Sequence, residues 1–162
     1  MMMRKLNMPK LEVKENKKLV LKNVLKKEFR GAPLDSIDQE VIKFIQKVDL
    51  LKVQIFGPFI IHNIGTNIHD DGTMTMDFDL MIQANDYKQY KHEFMTEERH
   101  VCEHCIYVHY EGSPENVSYA HAKLDLHIYE NDLLSNGEMY TVCIRDQEDY
   151  TVMDFFRPVM LI

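Results

Sequence analysis

The sequence predicts an α+β fold built from two copies of a strand–helix–strand–strand unit. A Gly-x-Pro tripeptide, a single glycine and a Met-Asp-Phe tripeptide occur in this order twice, at 31–33, 57 and 76–78 and again at 112–114, 137 and 153–155. The chain has 162 residues, 45% of them hydrophobic, which suits one sizeable core and not two. Since one such unit cannot cover its own apolar face, we expect the two copies to share a core.

These observations define the predicted domain organisation. We expect one domain over residues 1–162, with the first repeat at about 17–83, a linker at 84–101 and the second repeat at about 102–160. An antiparallel sheet should carry both helices on one face and leave a central cleft between the copies.

The first repeat begins with a Leu- and Val-rich strand over 17–30, which ends at Gly31. Pro33 and the capping-box spacing of Ser36 and Gln39 predict the start of a helix. Its apolar positions recur with the helical period and should face the sheet: Ile37, Val41, Phe44, Ile45 and Val48. Two strands follow, at 59–64 and 73–82, joined by an Asp-Asp-Gly turn.

The second repeat follows a polar stretch over 85–100, which predicts a linker with a short helix at most. A strand is expected over 102–111. Ser113 is a natural N-cap, with Pro114 in the first turn, and the helix should end near Asn131. The last strands are predicted at 139–145 and 150–157.

Charge divides the chain unevenly. Residues 1–30 hold ten Lys and Arg against three Glu, whereas the whole chain has a net charge of −7. The lysines alternate with leucine and valine, and Phe29 is the first aromatic residue. This pattern favours a solvated strand face over a phosphate-binding arm, so we expect no direct contact with nucleic acid.

The remaining composition bears on location. No run reaches the roughly 18 to 20 apolar residues of a membrane helix, and the N-terminus lacks the apolar core of a signal peptide. Three cysteines, an odd number, argue against a disulfide framework. We expect a cytoplasmic protein that does not contact a membrane.

Asp154 is the sharpest candidate for chemistry. Successive side chains of the last strand point to opposite faces, and both faces are largely apolar. This carboxylate should therefore be buried among aromatic side chains. A buried carboxylate needs a cation, hydrogen-bond donors or a raised pKa, and it suits both the binding of organic cations and acid–base work. The alternative is a fixed partner such as Lys, Arg or a backbone amide. Its repeat mate Asp77 lies on a more polar face, for which we expect solvent exposure.

The Cys-x-x-Cys sequence at 102–105 is flanked by histidines and has the spacing of half a zinc site. Alternation along a strand would point Cys102 and Cys105 to opposite faces, and no second such pair exists in the chain. His121 and His127 lack the four-residue spacing of a helical metal pair. We therefore expect no metal and no cofactor.

Two segments of the second repeat resemble a known family. The Gly-Ser-Pro tripeptide that follows the Tyr-rich strand at 107–111, and the terminal Met-Asp-Phe-Phe-Arg-Pro-Val at 153–159, are similar to the gyrase-inhibitor-like small-molecule-binding domain. That superfamily includes the effector-binding domains of multidrug-responsive transcription activators and is similar in fold to the SOUL haem-binding proteins. The resemblance covers about residues 17–160.

The resemblance implies a pocket and its residues. In the family an acidic residue, usually Glu, stands four positions before the terminal Pro-Val, and here that position holds Asp154. Aromatic residues line the family's pocket, which on this chain implies Tyr107, Tyr140, Phe156 and Tyr119. The regulators carry a helix-turn-helix domain ahead of this one, and the few residues before the first repeat lead us to expect a free-standing member.

Three functions are compatible with these observations. The first, which we favour over an enzyme, is a free-standing protein that binds an amphipathic small molecule in a cleft around the buried carboxylate of Asp154, with a positive charge on the ligand as one option. The second is a hydrolase of reactive, genotoxic small molecules that uses the same pocket. The third is an adaptor that contacts another protein and has lost the pocket.

Overall fold

The structure is a computed structural model that describes residues 10–161. Residues 1–9 and 162, which fall within the predicted domain, lie outside the described part. Two α-helices and eight strands occur in the described part, in this order: β1 (Lys14–Pro33), α1 (Ile37–Leu50), β2 (Ile55–Ile68), β3 (Met74–Ala84), β4 (Met95–Gly112), α2 (Val117–Glu130), β5 (Leu133–Leu134), β6 (Met139–Asp146), β7 (Thr151–Pro158) and β8 (Met160–Leu161).

Six strands close into an antiparallel barrel in the order β1-β3-β2-β6-β7-β4, with β4 paired back to β1. The first half of the chain contributes β1-β3-β2 and the second half contributes β4-β7-β6, so exchanging the halves leaves the strand order unchanged. The short strands β5 and β8 pair separately. The predicted α+β class, the duplicated unit and the antiparallel sheet are confirmed.

Both helices pack on the outer face of this sheet. Phe44 and Val48 of α1 pack against a cluster centred on Phe78 and Leu80. Ala120 and Leu124 of α2 pack in the same way on the other half of the barrel. A third cluster fills the middle of the barrel and joins strands of both halves: Leu19, Leu21, Val24, Ile60, Met81, Tyr140 and Val142. Both faces of the sheet are therefore buried over much of its area. No helix within 10–161 is both long and apolar enough to cross a membrane.

The linker is shorter than predicted. β4 begins at Met95 and not near residue 102, because Met95, Thr96 and Glu97 pair with β1 through the backbone. Backbone pairing does not depend on side-chain polarity, which is why the charged composition was misleading. A short 3₁₀ helix, which the prediction allowed in this stretch, is present at Tyr87–Tyr90. The assignment of residues 1–162 to one domain, with the predicted bounds of its two repeats, stays a prediction.

The helix starts differ from each other. Ser36 precedes α1, but its Oγ donates to the carbonyl oxygen of Pro33 at 2.6 Å and makes no capping bond, so the predicted capping box is wrong. Ser113 does accept a hydrogen bond, from the amide of Glu115 at 3.3 Å, and opens the short 3₁₀ turn that leads into α2. That helix ends at Glu130, with Asn131 as its C-cap, as expected.

Phe44 and Ile45 provide a test of the outer core. Both were predicted to face the sheet, but Phe44 is 2% exposed and Ile45 is 43% exposed. We expect Phe44→Ala to lower the free energy of unfolding by about 3 to 5 kcal/mol, since it leaves a cavity. The matched Ile45→Ala should lower the free energy of unfolding by less than about 1 kcal/mol. Urea denaturation of both variants checks this, and equal losses would contradict the packing of α1.

Candidate functional site

Four aromatic side chains form a continuous row on the inner face of the barrel. Tyr107, Phe156, Tyr140 and His62 are cross-strand neighbours in turn, on β4, β7, β6 and β2. The rings of Tyr107 and Phe156 have centroids 4.9 Å apart, and His62 stacks on Tyr140 at 4.0 Å with an interplanar angle of 7°. We call these four residues the inner aromatic row. Asp79 on β3 continues the row beyond His62.

Asp154 lies beside this row, two residues before Phe156 on β7. Its Oδ1 accepts hydrogen bonds from Tyr107 Oη at 2.7 Å and from His109 Nδ1 at 2.6 Å. The carboxylate therefore has two fixed donors, and they are a tyrosine and a histidine in place of the Lys, Arg or backbone amide considered from the sequence. Both bonds involve Oδ1, and no residue of 10–161 donates a hydrogen bond to Oδ2. One oxygen anchors the carboxylate, and the other has no hydrogen-bond donor among residues 10–161.

His109 lies between two carboxylates. Its Nδ1 contacts Asp154, and its Nε2 lies 3.1 Å from Oε1 of Glu111. Partial burial alone would lower the pKa of His109, but the bonds to Asp154 and Glu111 outweigh it and raise that pKa above its ordinary value. Burial and the bond to Asp154 likewise raise the pKa of Tyr107, which therefore stays protonated and donates.

A second hydrogen-bonded chain reaches the row at Tyr140. Its Oη lies 2.8 Å from Nε2 of His100, whose Nδ1 lies 3.0 Å from Glu97, and Lys26 pairs with the same Glu97. With Nδ1–H donated to the carboxylate, Nε2 of His100 accepts the proton of the Tyr140 hydroxyl. Burial raises the pKa of Tyr140, with nearby negative groups adding to the rise, so this phenol remains a proton donor.

At the His62 end of the row, the side chains are polar and buried. Asp79, almost fully buried, pairs with Arg30 at 2.7 Å. Burial alone would raise the pKa of Asp79, but its contacts with His62 and Arg30 outweigh it and hold that pKa below its ordinary value. His62 is only 7% exposed, and neither of its ring nitrogens has a hydrogen-bond partner in the described part of the chain. Asp79 and Glu138 lie 3.7 Å from these nitrogens, beyond hydrogen-bond distance.

The structure brings most of the predicted site residues together. Asp154, Tyr107, Phe156 and Tyr140 share the inner face, whereas Tyr119 lies apart on α2 and is 50% exposed. Sequence reasoning missed the polar partners on the same face: His62, His100, His109 and Asp79. Asp79 belongs to a strand face that we expected to be exposed to solvent. The sequence does not show that the sheet closes into a barrel, and this closure turns that strand face toward the interior.

The Cys-x-x-Cys pair departs from the predicted geometry. The Sγ atoms of Cys102 and Cys105 lie 3.5 Å apart and do not point to opposite faces. His104 has φ +58°, and three residue steps on β4 match two on β1, from Lys17 to Leu19. This β-bulge breaks the alternation and turns both sulfurs to one side. The described residues hold no cluster of three or more potential metal ligands, and the absence of a metal stays a prediction.

A cleft of about 490 Å³ lies on the helix side of the barrel, where β2 and β6 meet. His121 of α2, Met139 and Arg157 contribute to its lining. Asp154 and the inner aromatic row do not line it, because they face the opposite side of the sheet. This cleft between the two halves is thus separate from the predicted site.

Comparisons with known proteins identify the fold. No family model matches the chain, and no curated protein does. The chain is similar to EcmrR in the cryo-EM structure of an EcmrR–DNA complex, with 14% identity, a TM-score of 0.64 and coverage of 94% of this chain and 58% of that chain. It is also similar to the crystal structure of the EcmrR C-terminal domain, with 15% identity, a TM-score of 0.62 and coverage of 94% and 98%.

An uncharacterized conserved protein from Listeria innocua is a third similar structure, with 10% identity, a TM-score of 0.55 and coverage of 94% of this chain and 93% of that chain. The chain thus spans little more than half of EcmrR and nearly all of its C-terminal domain. At these identities the likeness shows the fold alone.

The position of His109 predicts that the free energy of unfolding depends on pH. Because its folded pKa is raised, the protonated ring stabilises the fold fully below its unfolded pKa of about 6.5, and this stabilisation is lost as the pH rises through the folded value. We expect the free energy of unfolding of the wild type, relative to His109→Gln, to decrease between about pH 6 and 9. Urea denaturation across this range measures the difference.

The exposed His92 supplies the control. His92→Gln should track the wild type at every pH. A folded pKa of His109 at or below about 6.5 by NMR titration would contradict the double contact with Asp154 and Glu111.

Proposed function

We propose that this protein binds an amphipathic small molecule on the inner aromatic row beside Asp154, and that ligands with a positive charge bind best. The observation that carries the proposal is the carboxylate itself, which is anchored through Oδ1 and has no intramolecular partner on Oδ2 among residues 10–161. A carboxylate next to aromatic rings suits an organic cation, since both the charge and the ring quadrupoles attract it.

The surroundings of the row are acidic, which supports the preference for cations. Five carboxylates each lie within 4 Å of an inner-face histidine: Asp79, Glu97, Glu111, Glu138 and Asp154. The Lys and Arg that pair with members of this group are Lys26 and Arg30. An excess of negative charge around the row raises the local concentration of cations.

Access differs between the two ends of the row. The Asp154 side chain is 20% exposed and that of His109 is 42% exposed, whereas His62 at the other end is buried. A ligand therefore meets Asp154 and Tyr107 first. Deeper entry would require the side chains of the central cluster to move, because Phe156 packs against that cluster.

Asp154→Asn tests this proposal, with Asp77→Asn as a matched control. Both changes keep an oxygen acceptor and remove one negative charge, and Asp77 is held by hydrogen bonds from the Gly31 amide and from Asn67. We expect Asp154→Asn to weaken the binding of a lipophilic cationic dye at least about 10-fold, the effect of losing one charge-assisted contact of about 1.4 kcal/mol. Asp77→Asn should bind like the wild type. Fluorescence anisotropy measures both.

Stability separates a ligand-binding role from a structural one. Each variant weakens two hydrogen bonds, so each should lose about 1 kcal/mol of unfolding free energy or somewhat more. Equal dye binding by both variants, with Asp154→Asn the less stable, would contradict the proposal and favour the adaptor function. A neutral dye of the same size should bind wild type and Asp154→Asn alike.

A hydrolytic activity is the second candidate. The chain from Glu97 through His100 to Tyr140 is the observation that favours it, since His100, oriented by Glu97, can accept the Tyr140 proton as a general base and so activate the phenol as a nucleophile. We expect Tyr140→Phe to abolish any hydrolysis of reactive electrophiles while binding of the cationic dye changes less than about threefold. Tyr150→Phe is the control, because that hydroxyl contacts only Glu111 among the described residues. Equal activity in the two variants would exclude this role for Tyr140.

We also propose that the protein acts as a gyrase-inhibitor-like binding protein in the cytoplasm and makes no nucleic-acid contact of its own. The basic segment at the start of the chain supports the last point. Lys18 and Lys26 of β1 pair with Glu103 and Glu97 of the adjacent β4. Lysines held by neighbouring carboxylates are less available to phosphates. A lack of salt-sensitive DNA binding in an electrophoretic assay is the expected result, and salt-sensitive binding would contradict it.

A further inference from the structure

Cys102 and Cys105 hold two thiols together at the edge of the central cluster. Their Sγ atoms are 3.5 Å apart, and a disulfide bond of about 2.05 Å requires them to approach by about 1.5 Å. The bulge at His104 produces this proximity. Strand pairing with β1 on both sides of the bulge fixes the backbone that carries the sulfurs.

We propose that Cys102 and Cys105 form a reversible intramolecular disulfide by exchange with a small aliphatic disulfide of the glutathione class. Cys102 is the attacking thiol and Cys105 is the resolving thiol. This exchange does not depend on ligand binding by the inner aromatic row.

Exposure and hydrogen bonding assign the two roles. Cys102 is half-buried, whereas Cys105 has no exposed surface, so an incoming disulfide reaches Cys102 first. The Cys105 thiol donates to the Cys102 sulfur, which lowers the pKa of Cys102 and raises that of Cys105. The more acidic thiol is also the more accessible one, which is the arrangement of a reactive cysteine.

The exchange balances in two steps. The Cys102 thiolate attacks one sulfur of the small disulfide, a bond forms between them, and the other half leaves as a thiolate. Cys105 then loses its proton to solvent and attacks Cys102 Sγ, which releases the second half as a thiolate. Both small thiolates take up protons, so the protein loses two protons and two electrons in total and the small disulfide is reduced to two thiols.

The third cysteine is a built-in comparison. Cys143 lies on β6, and burial raises the pKa of its thiol to about 11. At neutral pH it is almost entirely protonated, and the thiol form is a poor nucleophile. We therefore expect Cys143 to stay reduced under conditions that oxidise the pair.

Intact-mass and peptide-mass analysis of the full chain tests this proposal. Pre-reduced protein is incubated with oxidised glutathione, quenched with an alkylating reagent and digested with trypsin. Cys102 and Cys105 share the peptide 100–123, and Cys143 falls in 124–145. We expect the first peptide to lose the mass of two hydrogens and to escape alkylation, while the second is alkylated. Dithiothreitol should reverse the change completely.

Three variants assign the roles. Cys105→Ser should accumulate a glutathione adduct on Cys102, because no resolving thiol is present, and Cys102→Ser should show a loss of both adduct and disulfide. Cys143→Ser should behave like the wild type. An unmodified pair in the wild type, a stable adduct in the wild type or disulfide-linked dimers would each overturn the proposal. The wild-type and Cys143→Ser measurements decide the outcome even if a variant of the pair fails to fold.

Discussion

Closure of the sheet is the constraint on which the rest of this structure depends. β2 pairs with β6 and β1 pairs with β4. The two halves of the chain therefore meet at two strand pairs and leave no free edge in the barrel. Each strand then buries one face under a helix and turns the other inward. Where β2 pairs with β6, His62 stacks on Tyr140, which places an aromatic pair at the junction of the two repeats.

Closure also explains the chemistry of the interior. Polar side chains on the inner face cannot all reach water, and most of them form pairs or chains with one another. Asp79 pairs with Arg30, Glu97 with Lys26 and His100, and Asp154 with Tyr107 and His109. On the inner face, Oδ2 of Asp154 and the ring nitrogens of His62 lack such a partner among residues 10–161. They lie at opposite ends of the row of rings, and the more exposed end is the one we assign to ligand binding.

The sequence predicted the repeated unit, the two helices and the partly buried position of Asp154 because these features depend on local patterns. The matched glycines and the Met-Asp-Phe tripeptides report the duplication directly, and alternation along β7 places Asp154 on a buried face. Features that depend on strand pairing were not predictable. The role of Asp79 requires closure, and the meeting of Cys102 and Cys105 requires a left-handed residue at His104.

The register of neighbouring strands likewise decides which aromatic residues share the site. Tyr140 and Phe156 become neighbours because β6 and β7 pair in one particular register. Tyr119 has the same residue type as Tyr107 but projects from the outer helix, where no strand register can bring it to the row. Residue type and spacing along the chain therefore identify candidates, and pairing selects among them.

NMR titration with a lipophilic aromatic cation tests the central claim most directly. The account predicts that ring signals of Tyr107, Tyr140 and Phe156 shift with one common dissociation constant, while those of Tyr119 and Tyr129 on the outer helix stay unchanged. Both outer tyrosines are exposed, so they also report any non-specific contact. Shifts confined to the outer tyrosines, or to the cleft around His121, would contradict the assignment of the ligand site to the inside of the barrel.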